Sequence, residues 1–255
     1  MPVLTPLHYC LLFATGLIAG TVDAIAGGGG LIMLPVLLGL GLPAPLALGT
    51  NKLGAAFGTG SAAWSYARRG AVAVRECVPG IVAALVGSLA GSFIVHWINS
   101  DFLTRVIPWL LAAVIAYLVF RPKLGESSRH RRMRPFLFYL LFGLVLGFYD
   151  GFFGPGVGSF WMVAFVAVLG LDFLHSAAHA RVMNFASNVA ALAVFSIAGT
   201  VLLIPGLVLG AGQLIGGRLG AYLALTRGVK FVRPIFLVMA GLTVLKLLYQ
   251  LSLRP

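Results

Sequence analysis

Acidic residues are scarce in this chain. Six aspartates and glutamates stand against 18 lysines and arginines in 255 residues, and charged residues make up only 9% of the total. Soluble domains carry about a quarter of their residues as charged ones, so a water-facing fold is excluded and an integral membrane protein is expected. Cysteine is equally rare: Cys10 and Cys77 stand alone, without metal-ligand spacing, in apolar surroundings where buried, reduced thiols are expected. The chain shows no positive segment ahead of its first apolar run, so residues 7–25 should be retained as structure rather than cleaved. No Gly-Lys-Ser or Gly-Lys-Thr follows the glycine run Gly27, Gly28, Gly29, Gly30, which argues against ATP hydrolysis. No serine, histidine and acid converge strongly enough to argue for hydrolysis either. Neither a catalytic residue, nor a metal, nor a cofactor is expected.

What the chain does contain is apolar sequence in lengths that cross a bilayer. Hydrophobic residues are 60% of the total and 33 residues are glycine. Apolar windows of roughly 17 to 25 residues match the length a helix needs to cross about 30 Å of hydrocarbon. The first half reads as segments over 7–26, 31–42, 45–67, 78–98 and 103–120, and the second as 136–153, 158–171, 173–198, 201–225 and 232–251. Three domain-like parts follow: a first transmembrane repeat over 1–120, a basic linker over 121–135, and a second repeat over 136–255. The net charge of +12 sits mostly in three connectors, at Arg68, Arg69 and Arg75, at Arg121 to Arg134, and at Arg227, Lys230 and Arg233. Basic residues between apolar spans mark cytoplasmic loops. Split among short loops with no recognition fold around them, they give no nucleic-acid surface. With the linker cytoplasmic, five segments per half place Ser100, Gly199 and both termini outside. The halves are then inverted repeats, all-α, with eight full spans and two broken or re-entrant elements, since the segments after the glycine breaks are short.

The two halves carry matching polar residues at membrane depth. GTVDAIAGGGG, Gly20 to Gly30, resembles GFYDGFFGPGV, Gly147 to Val157. Asp23 and Asp150 each precede a break by four residues, and a carboxylate in an apolar segment must be paired, protonated or wetted. They read as proton carriers, as fasteners holding the broken segments open, or as N-caps or carboxylates bonded to backbone amides of the break. Gly28, Gly29 and Gly156 can turn successive amides toward one point, an anion nest at a helix N-terminus; tight helix packing is the bland alternative. The offset of 129 that pairs Gly70 with Gly199 also pairs Lys52 with Arg181, a compact charge and a planar fork suited to gripping a small anion between them. Snorkelling to a membrane surface is the other use of such cations. Asn51, Thr59, Asn184, Ser187 and Asn188 could complete the anion's hydrogen bonds or join helices. Arg218 has no counterpart, its aligned position being Leu89, and an aspartate or pore water is its expected partner. His175 and His179 are four apart, a zinc spacing in other contexts, but without further ligands nearby helix-end hydrogen bonding is favoured.

At these residues the chain resembles the sulfite exporter TauE/SafE family of bacterial membrane permeases. The stretches that carry the likeness are GTVDAIAGGGGLIMLPVLLGLGLPAPLALGTNKL, GFYDGFFGPGVGSFW and AHARVMNFASN, and similarity of order and spacing covers nearly the whole chain. Arg181 departs from the lysine expected in many relatives. The resemblance implies a multi-pass protein of the bacterial inner membrane that moves a small sulfur-containing anion such as sulfite, thiosulfate or a sulfonate. A secondary transporter with alternating access is the expected mechanism, with an anionic substrate and the lipid bilayer as its partners. A membrane-embedded enzyme acting on an anionic lipid and a passive anion channel are the alternatives.

Overall fold

The computed structural model describes residues 4–97 and 132–228. These residues form eight α-helices and contain no strand: α1 Pro6–Ala26, α2 Gly29–Gly39, α3 Ala44–Arg68, α4 Val78–Trp97, α5 Pro135–Phe152, α6 Val157–Ala164, α7 Phe173–Ile197 and α8 Leu203–Arg227. A 3-10 turn, Val74–Cys77, leads into α4, and a single π turn, Phe165–Leu169, extends α6. The expected segments over 103–120 and 232–251, and nearly all of the linker, lie outside the described residues.

Local sequence explains where the helices begin. Thr5 closes a capping box on α1 with His8, and Pro6 occupies its first turn, where a missing N–H costs nothing. Asp172 caps α7 by accepting the His175 amide at 2.9 Å. Five stretches, Pro6–Ala26, Val74–Val95, Pro135–Phe152, Phe173–Ile197 and Leu203–Arg227, are long and apolar enough to cross a membrane. With 25 residues, α3 is as long as α7 and α8. Its run of small and polar residues around Lys52 keeps it off that group. Large apolar side chains such as Leu7, Phe93, Phe136 and Leu203 face outward, while Lys52, Asp150, Arg181 and Gln213 are buried. Charge inside and hydrocarbon outside is the arrangement a bilayer requires.

The breaks are narrower than the glycine run suggests. Gly29 and Gly30 already belong to α2, so only Gly27 and Gly28 interrupt the first half. Gly28 adopts φ 97° and Gly156 φ 83°, left-handed values that let each cap the next helix where a side chain would be strained. Left-handed glycines in fact recur in pairs across the halves: Gly27 with Gly154, Gly28 with Gly156, Gly41 with Gly170, and Gly70 with Gly199. The offset between partners grows from 127 to 128 to 129 along the chain, so a single register of 129 does not hold throughout. Pro155 supplies the first extra residue. The second falls between Gly158 and Gly170, where the π turn absorbs it.

Glycine also sets how the helices run. A Cβ on Gly16 would lie 2.2 Å from the Leu209 carbonyl oxygen and one on Gly20 2.6 Å from that of Gln213, so α1 and α8 run in the same direction. Gly87 against Leu144 and Gly91 against Phe148 make α4 parallel to α5. Leu53 beside Gly206, and Ser61 donating to the Leu214 carbonyl, make α3 parallel to α8. Gly80 beside Met183, and Ser88 donating to the Ser187 carbonyl, make α4 parallel to α7. By contrast α3 and α7 oppose each other: Gly49 lies against Thr200 and Phe195, whereas Gly60 lies against Phe185. The helices α1, α3 and α8 thus form one directional set, and α4, α5 and α7 the other. Because α1 and α3 point the same way, α2, about 16 Å long at 1.5 Å per residue, and the loop after it bring the chain back between them.

The most extensive helix interfaces, α1 with α8 and α4 with α5, both join one half to the other. Backbone approach at these seams tolerates no added methyl. A Cβ on Gly151 would sit 2.0 Å from the Ser88 carbonyl oxygen, while one on Gly39 would meet nothing within 4 Å. Gly151→Ala is expected to lower the thermal unfolding midpoint in detergent, by the about 1–3 kcal/mol typical of overpacking or more. Gly39→Ala should leave it unchanged or raise it slightly.

Candidate functional site

The two breaks abut at the centre of the protein. Gly27 packs on the Gly158 and Ser159 backbone, Gly30 packs on Pro155, and the Ser159 hydroxyl donates to the Ala26 carbonyl at 3.1 Å. Tyr66 and Tyr149 fix the neighbouring turns by donating to the Ala24 and Pro155 carbonyls at 2.9 and 2.8 Å. Around this junction each buried aspartate meets the buried cation of the other half. Lys52 Nζ donates to the Asp150 carboxylate and carbonyl, and to Asn188 Oδ1 at 3.2 Å. Arg181 Nη1 donates to the Asp23 carboxylate and, at 2.6 Å, to the Asp23 carbonyl. Glycine makes room for both: a Cβ on Gly154 would lie 2.6 Å from Lys52 Nζ, and one on Gly158 2.5 Å from Arg181 Nη2.

The aspartates do more than neutralise charge. Asp23 Oδ1 accepts the Gly29 amide at 2.8 Å and so caps α2, while Asp150 Oδ2 accepts the Ser187 hydroxyl. Asp23 thus bridges the first break, while Asp150 is held by Lys52 and by Ser187 of α7 and, among the described residues, makes no bond across the second. The Gly29 amide, expected in an anion nest, is occupied by Asp23; Gly28 and Gly156 remain on the wall of the central cavity.

That cavity is small, with about 20 Å³ open to the centre of a water molecule, room for one or two waters. Lys52, Asn51, Asn184, Asn188, Asp23, Asp150 and Thr59, all singled out in the sequence, border it. Arg181 does not, which departs from the expected grip of an anion between the two cations. The contrast between them is chemical. All three protons of Lys52 are directed at oxygens, whereas the Nε and Nη2 donors of fully buried Arg181 have no hydrogen-bond partner among the described residues. Three amide oxygens around the cavity, of Asn51, Asn184 and Gln213, are likewise unpartnered. Turned over, each amide offers its NH₂ to an acceptor.

Gln213 is the wall residue that sequence reasoning missed. It lies in the notch left by Gly58, where a Cβ would come 2.0 Å from its Oε1, and a lone amide amid the small residues of α8 was the available signal. Arg218, expected to meet an aspartate or pore water, lies instead on the outside of α8. Both cysteines are free: Cys77 is buried with Sγ 3.7 Å from Tyr139 Oη, but Cys10, expected to be buried, is exposed on α1. His175 Nδ1 bonds the capping Asp172 at 2.7 Å and His179 Nδ1 donates to the His175 carbonyl at 2.7 Å, a helix-end arrangement.

Two ions buried from water are tolerated because each has its counterion. Lys52→Met leaves Asp150 buried without its counterion, and is expected to destabilise the protein by about 3–5 kcal/mol. The double variant Lys52→Met with Asp150→Asn should regain most of that loss. With Asp150→Asn alone completing the cycle, a double variant whose loss equals the sum of the two single losses would show that the pair is not coupled.

Comparison with known proteins agrees with the motifs. The model of the family described as "Sulfite exporter TauE/SafE" matches residues 12–247. The chain is 42% identical over 240 residues to a probable membrane transporter protein of Haemophilus influenzae, covering 94% of each. It is 41% identical over 237 residues to the probable membrane transporter protein ORF9 of Sinorhizobium sp, covering 93% of this chain and 91% of the relative. To the probable membrane transporter protein YfcA of Escherichia coli K12 it is 39% identical over 248 residues, covering 97% and 92%. No solved structure matches. The chain belongs to the sulfite exporter TauE/SafE family.

Proposed function

We propose that the protein is a secondary transporter that moves a small sulfur-containing anion, such as sulfite, thiosulfate or a sulfonate, across the bacterial inner membrane. The observation that carries this reading is the crossed pairing of Lys52 with Asp150 and Arg181 with Asp23 beside a small central cavity. Two positive and two negative side chains make the site neutral overall, so an arriving anion cannot simply add to it. It must displace a carboxylate from its cation, or arrive with a proton that neutralises one. Asp150 is the carboxylate in question, since it holds the cation on the cavity wall. Protonation of Asp150 frees Lys52 for the anion, Asn51, Asn184 and Asn188 supply further hydrogen bonds, and Gly28 and Gly156 bring backbone close to it. The unused donors of Arg181 become a second grip once the breaks separate and Gly158 moves aside.

The opposed directions of α3 and α7, and of the sets to which they belong, support an architecture of inverted repeats with eight full spans and two broken elements. In this architecture residues 121–135 form a cytoplasmic linker between repeats 1–120 and 136–255, and both termini face the periplasm. Alternating access then follows from rocking one repeat on the other about the junction of the breaks. The names of the relatives, all probable membrane transporters, support the transport reading.

Proteoliposomes loaded with labelled sulfite, thiosulfate or a sulfonate provide the test. Wild-type protein should exchange at least one of these with saturation and accompanying proton flux. Asp150→Asn should abolish the proton flux, and the stable Lys52→Met, Asp150→Asn pair should abolish net transport. Undiminished transport by the double variant would remove the cavity from the mechanism.

A further inference from the structure

Apart from the central cavity, one cleft gathers charge of a single sign. Arg68 and Arg69 at the end of α3 and Arg218 on α8 line an open cleft of about 480 Å³ with Trp64, Ser65, Tyr222 and Leu225. No carboxylate lines it, and none of the three arginines takes part in an ion pair among the described residues. Three guanidinium groups brought together without a counterion repel one another, and an anion relieves that repulsion. Aromatic faces steady two of them: Arg68 stands 5.8 Å over the Trp64 ring and Arg69 5.4 Å over Tyr222.

The chemistry of the occupant follows from what continues below the charges. In the parallel register of α3 and α8, where Leu53 meets Gly206 and Ser61 meets Leu214, Arg218 is level with Ser65. That is about one turn, roughly 5 Å, inside the end of α3. Trp64 and Tyr222, both more than half exposed, mark the depth at which indole and phenol rings sit between headgroups and hydrocarbon. Deeper along α8, Ile215 and Leu219 are exposed and apolar. A ligand that fits has a negative head for the arginines and a hydrocarbon tail for the helix face. A lone arginine facing acyl chains is costly unless such a head reaches it.

We propose that this cleft binds the phosphate headgroup of an anionic membrane phospholipid, with Arg218 holding the phosphate from the hydrocarbon side and Arg68 and Arg69 from the water side. The site is separate from the central cavity and does not depend on which anion is transported.

Native mass spectrometry of the full chain in detergent, offered phosphatidylglycerol or phosphatidylcholine, reads the site directly. Wild-type protein should retain phosphatidylglycerol in preference. Arg218→Gln should weaken that preference about fivefold, the effect of losing one basic side chain near a charged surface, and the triple glutamine variant should lose it. Arg75→Gln, the same charge change in the exposed 3-10 turn, should leave it intact. Equal retention of both lipids, a triple variant that binds like wild type, or an equal loss in Arg75→Gln would overturn the assignment. Displacement of bound lipid by millimolar inorganic phosphate would reassign the cleft to a free anion and overturn it as well.

Discussion

A buried charge without a partner is what this fold cannot tolerate, and the crossed ion pairs are how it avoids one. The described residues contain four acids; two of them lie in the interior, and each of those holds the buried cation of the opposite half. Because the pairing is crossed, neither half is electrostatically complete by itself. The same carboxylates hold further groups: Asp23 caps α2 at the first break, and Asp150 is tied through Ser187 to α7. Charge neutralisation, helix capping and the joining of the halves are therefore one set of contacts rather than three. In the transport reading proposed above, a ligand that drew Arg181 from Asp23 would also disturb the cap of α2.

Small residues allow the ions to meet. Gly154 and Gly158 leave the space that Lys52 and Arg181 occupy, and Gly58 leaves the notch for Gln213. In a bilayer, where water-driven burial between helices is absent, such close backbone approach is also a main source of cohesion. Along α1 and α8, and along α4 and α5, glycines of both partners face each other's carbonyls. The abundance of glycine in the sequence thus serves two ends, sealing the seams and admitting polar groups to the centre.

Much of this was legible beforehand. Apolar length and glycine breaks located the helices within a few residues, and the duplicated motif singled out Asp23, Asp150, Lys52 and Arg181 as a group. What a linear reading could not supply was who pairs with whom. Sequence symmetry suggested two cations facing one anion; in space the symmetry exchanges partners, so each cation finds an aspartate first, and Arg181 withdraws behind the cavity wall. Gln213 escaped notice because its counterpart by offset is Ala84, and an unduplicated amide carries no repeat signal. Arg218, without a counterpart in the first half, left function and packing equally open in the sequence; its helix face looks outward near the end of α3.

The halves are also not interchangeable. Pro155 and the π turn make the second half one residue longer at two points, so the two broken segments are not built alike. In a carrier whose two repeats trade conformations during each cycle, perfect duplicates would make the two end states equal in energy. Under the alternating-access reading proposed above, unequal halves make those end states differ in energy, and a resting preference for one orientation would be written into the covalent length of the chain.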